Sequence, residues 1–176
     1  MIIFLIPCVC FVDAFFIEPK WLKVKRIKLN KSNPGLRLIH ISDIHYRGDR
    51  KYLERTVKII NEQQPDFVCF TGDIIEDNKY LSEALDILSG LQSPLYGVPG
   101  NHEYWSGTSF DEISKCFEST GGAWLVDSVK EIKDKNVFIF RVDEEGVDVT
   151  EKAESSKRIM LTHYPDFANR GGRSSI

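Results

Sequence analysis

Four short apolar runs in this chain each stop within a few residues of a side chain able to ligate a metal, and three of them lead into a segment with helical spacing. Leu36–Ile41 precedes Asp43 and His45, with Leu53, Val57 and Ile60 following at helix periodicity. Asp66–Phe70 precedes Asp73, with Leu81, Leu85 and Leu88 beyond it. Leu95–Val98 precedes Asn101, with Phe110, Ile113 and Phe117 beyond, and Ile159–Thr162 leads to His163. Strand followed by helix, three times over, predicts an α/β layered domain whose strand ends gather along one edge. Ala123–Val126, Val129–Lys133, Val137–Val142 and Arg158–Thr162 then read as strands with no long helix between them, so the second half is richer in sheet. The expected fold class is α/β, with mixed β-sheets flanked by helices. Ser109 with Glu112 matches a helix capping box.

The chain has 176 residues, 42% of them hydrophobic, which suits one domain with its own core. A formal net charge of -3 supplies no global basic field, so no specific nucleic-acid binding is indicated and any phosphate affinity must be local. Cys69 and Cys116 sit in an apolar run and a helix-like segment, and without a CxxC pairing they read as small buried hydrophobes. Residues 2–17 are almost wholly apolar, broken by Pro7 and Asp13. That is short of the roughly 20 residues a spanning helix needs, and it lacks the features of a cleaved signal peptide. It reads as a membrane anchor, with a buried element of a soluble fold as the alternative. Lys20, Lys23, Lys25, Arg26 and Lys28 follow it, and such a basic flank would hold the remainder on the cytoplasmic face. Residues 1–20 are thus expected to form an anchor-like leader and residues 21–176 a single domain. Trp21, Val24, Ile27 and Leu29 between basic residues resemble an edge strand, closed by a turn at Asn33-Pro34-Gly35, with the α/β pattern proper starting near Leu36.

Taken singly, the polar strand ends are ambiguous. Asp43 and His45 are two apart and project to the same side, yet an isolated Asp-x-His is also an ordinary turn. Gly72-Asp73 is a common turn dipeptide. Asn101, His102 and Glu103 present an amide oxygen, an imidazole and a carboxylate in succession, and a lone His163 is most simply a satisfied strand-end residue. Jointly they point to one crevice, because the carboxyl ends of strands in α/β sheets converge where ligands bind. Aspartate, asparagine and histidine ligands suit Mn, Fe, Zn or Ni without any cysteine.

In order, the blocks Asp43-x-His45, Gly72-Asp73, Gly100-Asn101-His102-Glu103 and His163 resemble the calcineurin-like metallophosphoesterases, over Leu36 to about Asp166. The leader with Glu18-Pro19-Lys20-Trp21 resembles the membrane-associated bacterial branch of that family. The resemblance implies a layered metallophosphoesterase fold and two divalent metal ions. Asp43 and His45 would hold the first, Asn101 and His163 the second, and Asp73 would bridge them. It implies a phosphomonoester or phosphodiester substrate, with a lipid-linked phosphate suggested by the leader, and His102 facing the phosphate as the catalytic group. Glu103 either orients His102 or is a solvated loop carboxylate. Tyr46 and Arg47, just past His45, are within reach of a substrate phosphate, Arg47 through its guanidinium fork.

The family pattern also carries a late Gly-His-x-His block, which this sequence does not contain. Its histidines are His40, His45, His102 and His163, and His40 belongs to the body of a strand and reads as structural. The expectation is therefore an amino-terminal part of the fold with its final strands missing. Its competence is in question, against the alternative of a catalytically inert metal-binding or interaction module. A nucleotide-binding α/β protein is a further alternative, but neither GxGxxG nor GxxxxGK follows any strand.

Overall fold

The computed structural model describes residues 22–29, 35–126, 128–141, 157–164 and 166. Contacts divide the chain into two compact units, Met1–Pro34 and Gly35–Ile176. In the first, residues 22–29 form no strand, and Val24, Ile27 and Leu29 are exposed. The edge strand expected there is not formed, because alternation of apolar and polar residues is a context-dependent signal and does not by itself make a strand. Residues 2–17 and most of the Asn33-Pro34-Gly35 turn lie outside the described residues. Among those described, no helix is long and apolar enough to cross a membrane.

In the second unit the strands are β1 (Leu38–Ile41), β2 (Phe67–Thr71), β3 (Leu95–Val98), β4 (Ala123–Trp124), β5 (Val129–Ile132), β6 (Val137–Arg141) and β7 (Lys157–Leu161). The helices are α1 (Arg50–Glu62), α2 (Leu81–Leu88), α3 (Asn101–Trp105) and α4 (Phe110–Ser119). The first sheet runs β1-β2-β3-β4, every pair parallel, so all four carboxyl ends share one edge. The second runs β5-β6-β7, antiparallel then parallel. A short 3-10 turn, Lys133–Lys135, joins β5 to β6.

Alternation along β2 shows how the layers are assigned. Val68 and Phe70 point into a core with Leu53, Val57 and Ile60 of α1, Leu85 and Leu88 of α2, and Ile113 and Phe117 of α4. Phe67 and Cys69, on the opposite face, meet Val137, Ile139 and Leu161 of the second sheet. The first sheet is thus covered by helices on one face and by strands on the other, which is why β2 is buried at every position. Each fully buried phenylalanine on these faces, such as Phe70 or Phe117, contributes roughly 1.5–3 kcal/mol. Cys69 is buried with its thiol pushed up to about 12, and half-buried Cys116 is pushed up to about 11, both by burial. Both act as packing residues.

The helices start where local chemistry places them. Asp49 accepts the Tyr52 N–H at 3.2 Å at the head of α1, and Ser109 accepts the Glu112 N–H at 3.3 Å at the head of α4. The short α3 leaves no periodic signal in the sequence, since so brief a helix shows none.

Candidate metal centre

The loops leaving β1 and β2 run side by side before they diverge. The Asp43 N–H donates to the Gly72 carbonyl at 3.0 Å, His45 N–H to the Asp73 carbonyl at 3.0 Å, and Tyr46 N–H to the Ile74 carbonyl at 2.9 Å. This pairing demands unusual backbone, and Asp43, His45 and Asp73 all adopt positive φ of 53°, 44° and 63°. Non-glycine residues in that region carry strain, which persists only where surrounding structure over-determines it and which concentrates at functional sites. Gly72, at φ 86°, packs so closely on Gly100 that a Cβ there would overlap the Gly100 backbone. Likewise a Cβ on Gly100 would overlap the Asp73 carboxylate, so these glycines let the β2 and β3 exits touch.

Glu103 holds that contact together. It is 0% exposed, and its carboxylate accepts three backbone N–H groups: Gly100 at 2.7 Å, Asp73 at 2.9 Å and Ile74 at 2.7 Å. Neither role expected of Glu103 holds. It is buried, and it orients the backbone beneath Asp73 and not the His102 ring. Tyr46 also departs from expectation. It is 4% exposed, pairs by a parallel bridge with Ile75 and packs its ring on Tyr80, so it belongs to the core and cannot meet a substrate.

The Asp73 carboxylate is the centre of the crevice. Its Oδ1 accepts the His102 N–H at 2.9 Å. Its Oδ2 lies 3.4 Å from His45 Nε2 and 3.6 Å from His163 Nε2. Both imidazoles are turned by their other nitrogen: His45 Nδ1 is 2.9 Å from Glu76 Oε2, and His163 Nδ1 is 2.7 Å from the Thr71 carbonyl. A neutral imidazole has one N–H, and with that proton on Nδ1 facing an acceptor, each Nε2 presents a lone pair. Two nitrogen lone pairs therefore point at a carboxylate oxygen that also has only lone pairs. Asn101 Oδ1, 3.0 Å from His163 Nε2, adds another acceptor. Acceptors converging without a donor fit a cation, and a histidine with one nitrogen anchored by a carboxylate or carbonyl is the usual form of a metal ligand.

Donor atoms within 4.8 Å of one another fall into two groups, His45 with Asp73 and His102, and Asp43 with Asp73 and His163. Asp73 is common to both. The division expected from the family pairs Asp43 with His45, whereas these groups place Asp43 beside His163, although Asp43 Oδ1 is still 3.9 Å from His45 Nε2. His102 packs edge-on to the His45 ring at 4.5 Å and against Trp105 at 5.4 Å. Trp105 is 76% exposed beside it.

No sequence signal marks Glu76. It lies past Asp73 in a loop with no motif of its own, and its partners are reached only through the β1–β2 pairing. Burial pushes its carboxyl up, but hydrogen bonds from His45 and Arg47 with the neighbouring charge outweigh that and hold it below its ordinary value. Arg47 pairs with Glu76 at 3.2 Å and is otherwise exposed.

Comparison with known proteins places the chain in a family. The calcineurin-like phosphoesterase family model matches residues 36–172, and the chain belongs to that family of metal-dependent hydrolases acting on ester bonds. An uncharacterised metallophosphoesterase of Aquifex aeolicus is 27% identical over 88% of this chain and 64% of its own length. A transmembrane protein with a metallophosphoesterase domain from Danio rerio is 37% identical over 45% of this chain and 19% of its own. The UDP-2,3-diacylglucosamine pyrophosphatase LpxG of Chlamydia trachomatis is 32% identical over 60% of this chain and 35% of its own. The chain thus spans 64% or less of the length of these relatives. Among solved structures, an archaeal phosphodiesterase aligns with a TM-score of 0.43 at 17% identity, covering 62% of this chain and 61% of that one.

Proposed function

We propose that this chain hydrolyses a phosphomonoester or phosphodiester at a dinuclear metal centre held by Asp43, His45, Asp73, Asn101 and His163. The observation that carries the reading is the Asp73 Oδ2 atom, faced by the Nε2 of both His45 and His163 with no donor between them among the described residues. Two divalent cations bound there, of Mn, Fe, Zn or Ni, would neutralise the phosphoryl oxygens and lower the pKa of the attacking water. The protein's own part is to hold its ligands rigidly. Glu103 fixes the Asp73 backbone, Glu76 and the Thr71 carbonyl set the two imidazoles, and His102 gives its proton to the departing ester oxygen or stabilises charge there. Arg47 is the candidate on the substrate side, since its exposed guanidinium keeps donors beyond those used by Glu76.

The substrate class extends to lipid-linked phosphates. Residues 2–17 act as a membrane anchor, with the basic flank weighting the cytoplasmic face, and the name of LpxG supports an acylated substrate by analogy. Alkaline carbonate extraction of cell membranes tests the anchor: the full chain stays with the membrane, and recovery entirely in the soluble fraction would refute it.

Hydrolysis of an aryl phosphodiester and monoester with manganese, compared between the chain and Asp73→Asn, tests the chemistry. Activity falls on the order of 100-fold or more in the variant, as expected for loss of a shared ligand. Manganese uptake by the parent without turnover of either ester would assign the alternative, an inert metal-binding module.

A further inference from the structure

His40 belongs to β1, in register with Cys69, and neither donor group of the metal centre includes it. Its Nε2 lies 2.8 Å from Thr71 Oγ1. The Thr71 hydroxyl donates to Ser42 Oγ at 2.9 Å, and the Ser42 hydroxyl donates to Asp43 Oδ2. The direction of each proton follows from the last member. An ionised carboxylate has none to give, so Ser42 donates to it and is left to accept from Thr71. Thr71 in turn accepts from His40 Nε2–H. Burial, only partly countered by the charge of Asp43, lowers the His40 imidazole from its ordinary value and favours the neutral form that this single-donor role uses.

The contrast between the two carboxylates shows what the chain of bonds is for. Asp73 is 4% exposed at its side chain, beside the clamp that Glu103 places on its backbone. The Asp43 side chain is 55% exposed and stands on strained backbone. With more than half of its side chain exposed, a free carboxylate there would turn among rotamers. We propose that His40, Thr71 and Ser42 are positioning residues, a hydrogen-bonded brace that ties Asp43 Oδ2 to β2 and leaves Oδ1 aimed at the cation site. The proposal rests on the metal-centre reading above. It gives a histidine in the strand body a task in metal binding although it is not itself a ligand.

Manganese titration of the full chain by calorimetry, with thermal unfolding recorded for every variant, tests it. The parent takes up two equivalents. His40→Ala weakens one of the two by roughly tenfold or more, the scale of losing a ligand's hydrogen-bond support, and leaves the other unchanged. His40→Gln, whose amide N–H can replace Nε2–H, restores the affinity. His40→Ala combined with Ser42→Ala loses no more than the larger single change, because the two act in series. Unchanged affinity in His40→Ala overturns the brace, as does equal weakening of both equivalents or strictly additive losses. A parent that binds no manganese overturns the metal-centre reading itself and the brace with it, so the two failures are told apart.

Discussion

At the amino ends of β1 and β2, Asp66 accepts the Arg37 N–H at 2.7 Å and pairs with Lys135 at 2.7 Å, while its own N–H donates to the Arg37 carbonyl at 2.8 Å. At the carboxyl ends of the same two strands, Asp43, His45 and Asp73 sit at positive φ, and Asp73 Oδ2 faces two imidazole nitrogens with no donor among the described residues. One end satisfies its charge and stitches the first sheet to the turn between β5 and β6. The other end leaves acceptors facing one another on strained backbone. The same strands therefore serve as a fastening below and a ligand frame above. A fold that satisfies local rules at one edge can break them at the other when the broken edge is where a ligand binds.

Removing the support under the strained end has the largest expected effect. Glu103→Ala leaves three N–H groups without an acceptor in a buried site, and each such group costs about 1–3 kcal/mol. The expected loss is roughly 3–5 kcal/mol by urea denaturation, and a change below about 1 kcal/mol would show that the strained end does not depend on this clamp.

The fastening at the other end should be weaker and sensitive to acid. Hydrogen bonds from the Arg37 N–H and from Lys135 hold the Asp66 carboxyl below its ordinary value. A depressed folded-state pKa means that the stabilisation is present above the unfolded value of 3.8 and is lost as pH falls through the folded one. Asp66→Asn should cost about 1 kcal/mol at neutral pH, since the site is partly exposed, and should flatten the parent's loss of stability in that acid window. A parallel pH profile for parent and variant would show that Asp66 does not cause the loss of stability in acid.

The smallest effect belongs to the rim. Arg47→Ala deletes an exposed pair with Glu76, so stability should move by less than about 0.5 kcal/mol. Steady-state kinetics sharpens its role: a severalfold rise in KM at unchanged kcat places the guanidinium on the substrate, and an unchanged KM leaves it only as a partner of Glu76.

Much of this architecture was legible beforehand because it is written in short-range periodicity. The helix faces at Leu53, Val57 and Ile60 and at Leu81, Leu85 and Leu88 are all buried as their spacing implies, and β3 runs over the residues expected. The failures are instructive for the same reason. Residues 22–29 alternate like a strand yet form none, and Tyr46 follows the Asp-x-His block but turns into the core. Nothing in the neighbours of Glu103 announces that three backbone donors from two strand exits will meet it.

By itself the sequence determined which residue types stand at each strand end, their order along the chain and the helices that cover the sheet, since these depend on neighbours within one or two turns. Only the tertiary structure decided that Glu76 would turn His45, that Glu103 would hold Asp73, and that His40 would be linked through Thr71 and Ser42 to Asp43. Those bonds join β1 to β2 and β2 to β3. Their partners are set by the register in which parallel strands pack, which no local pattern encodes.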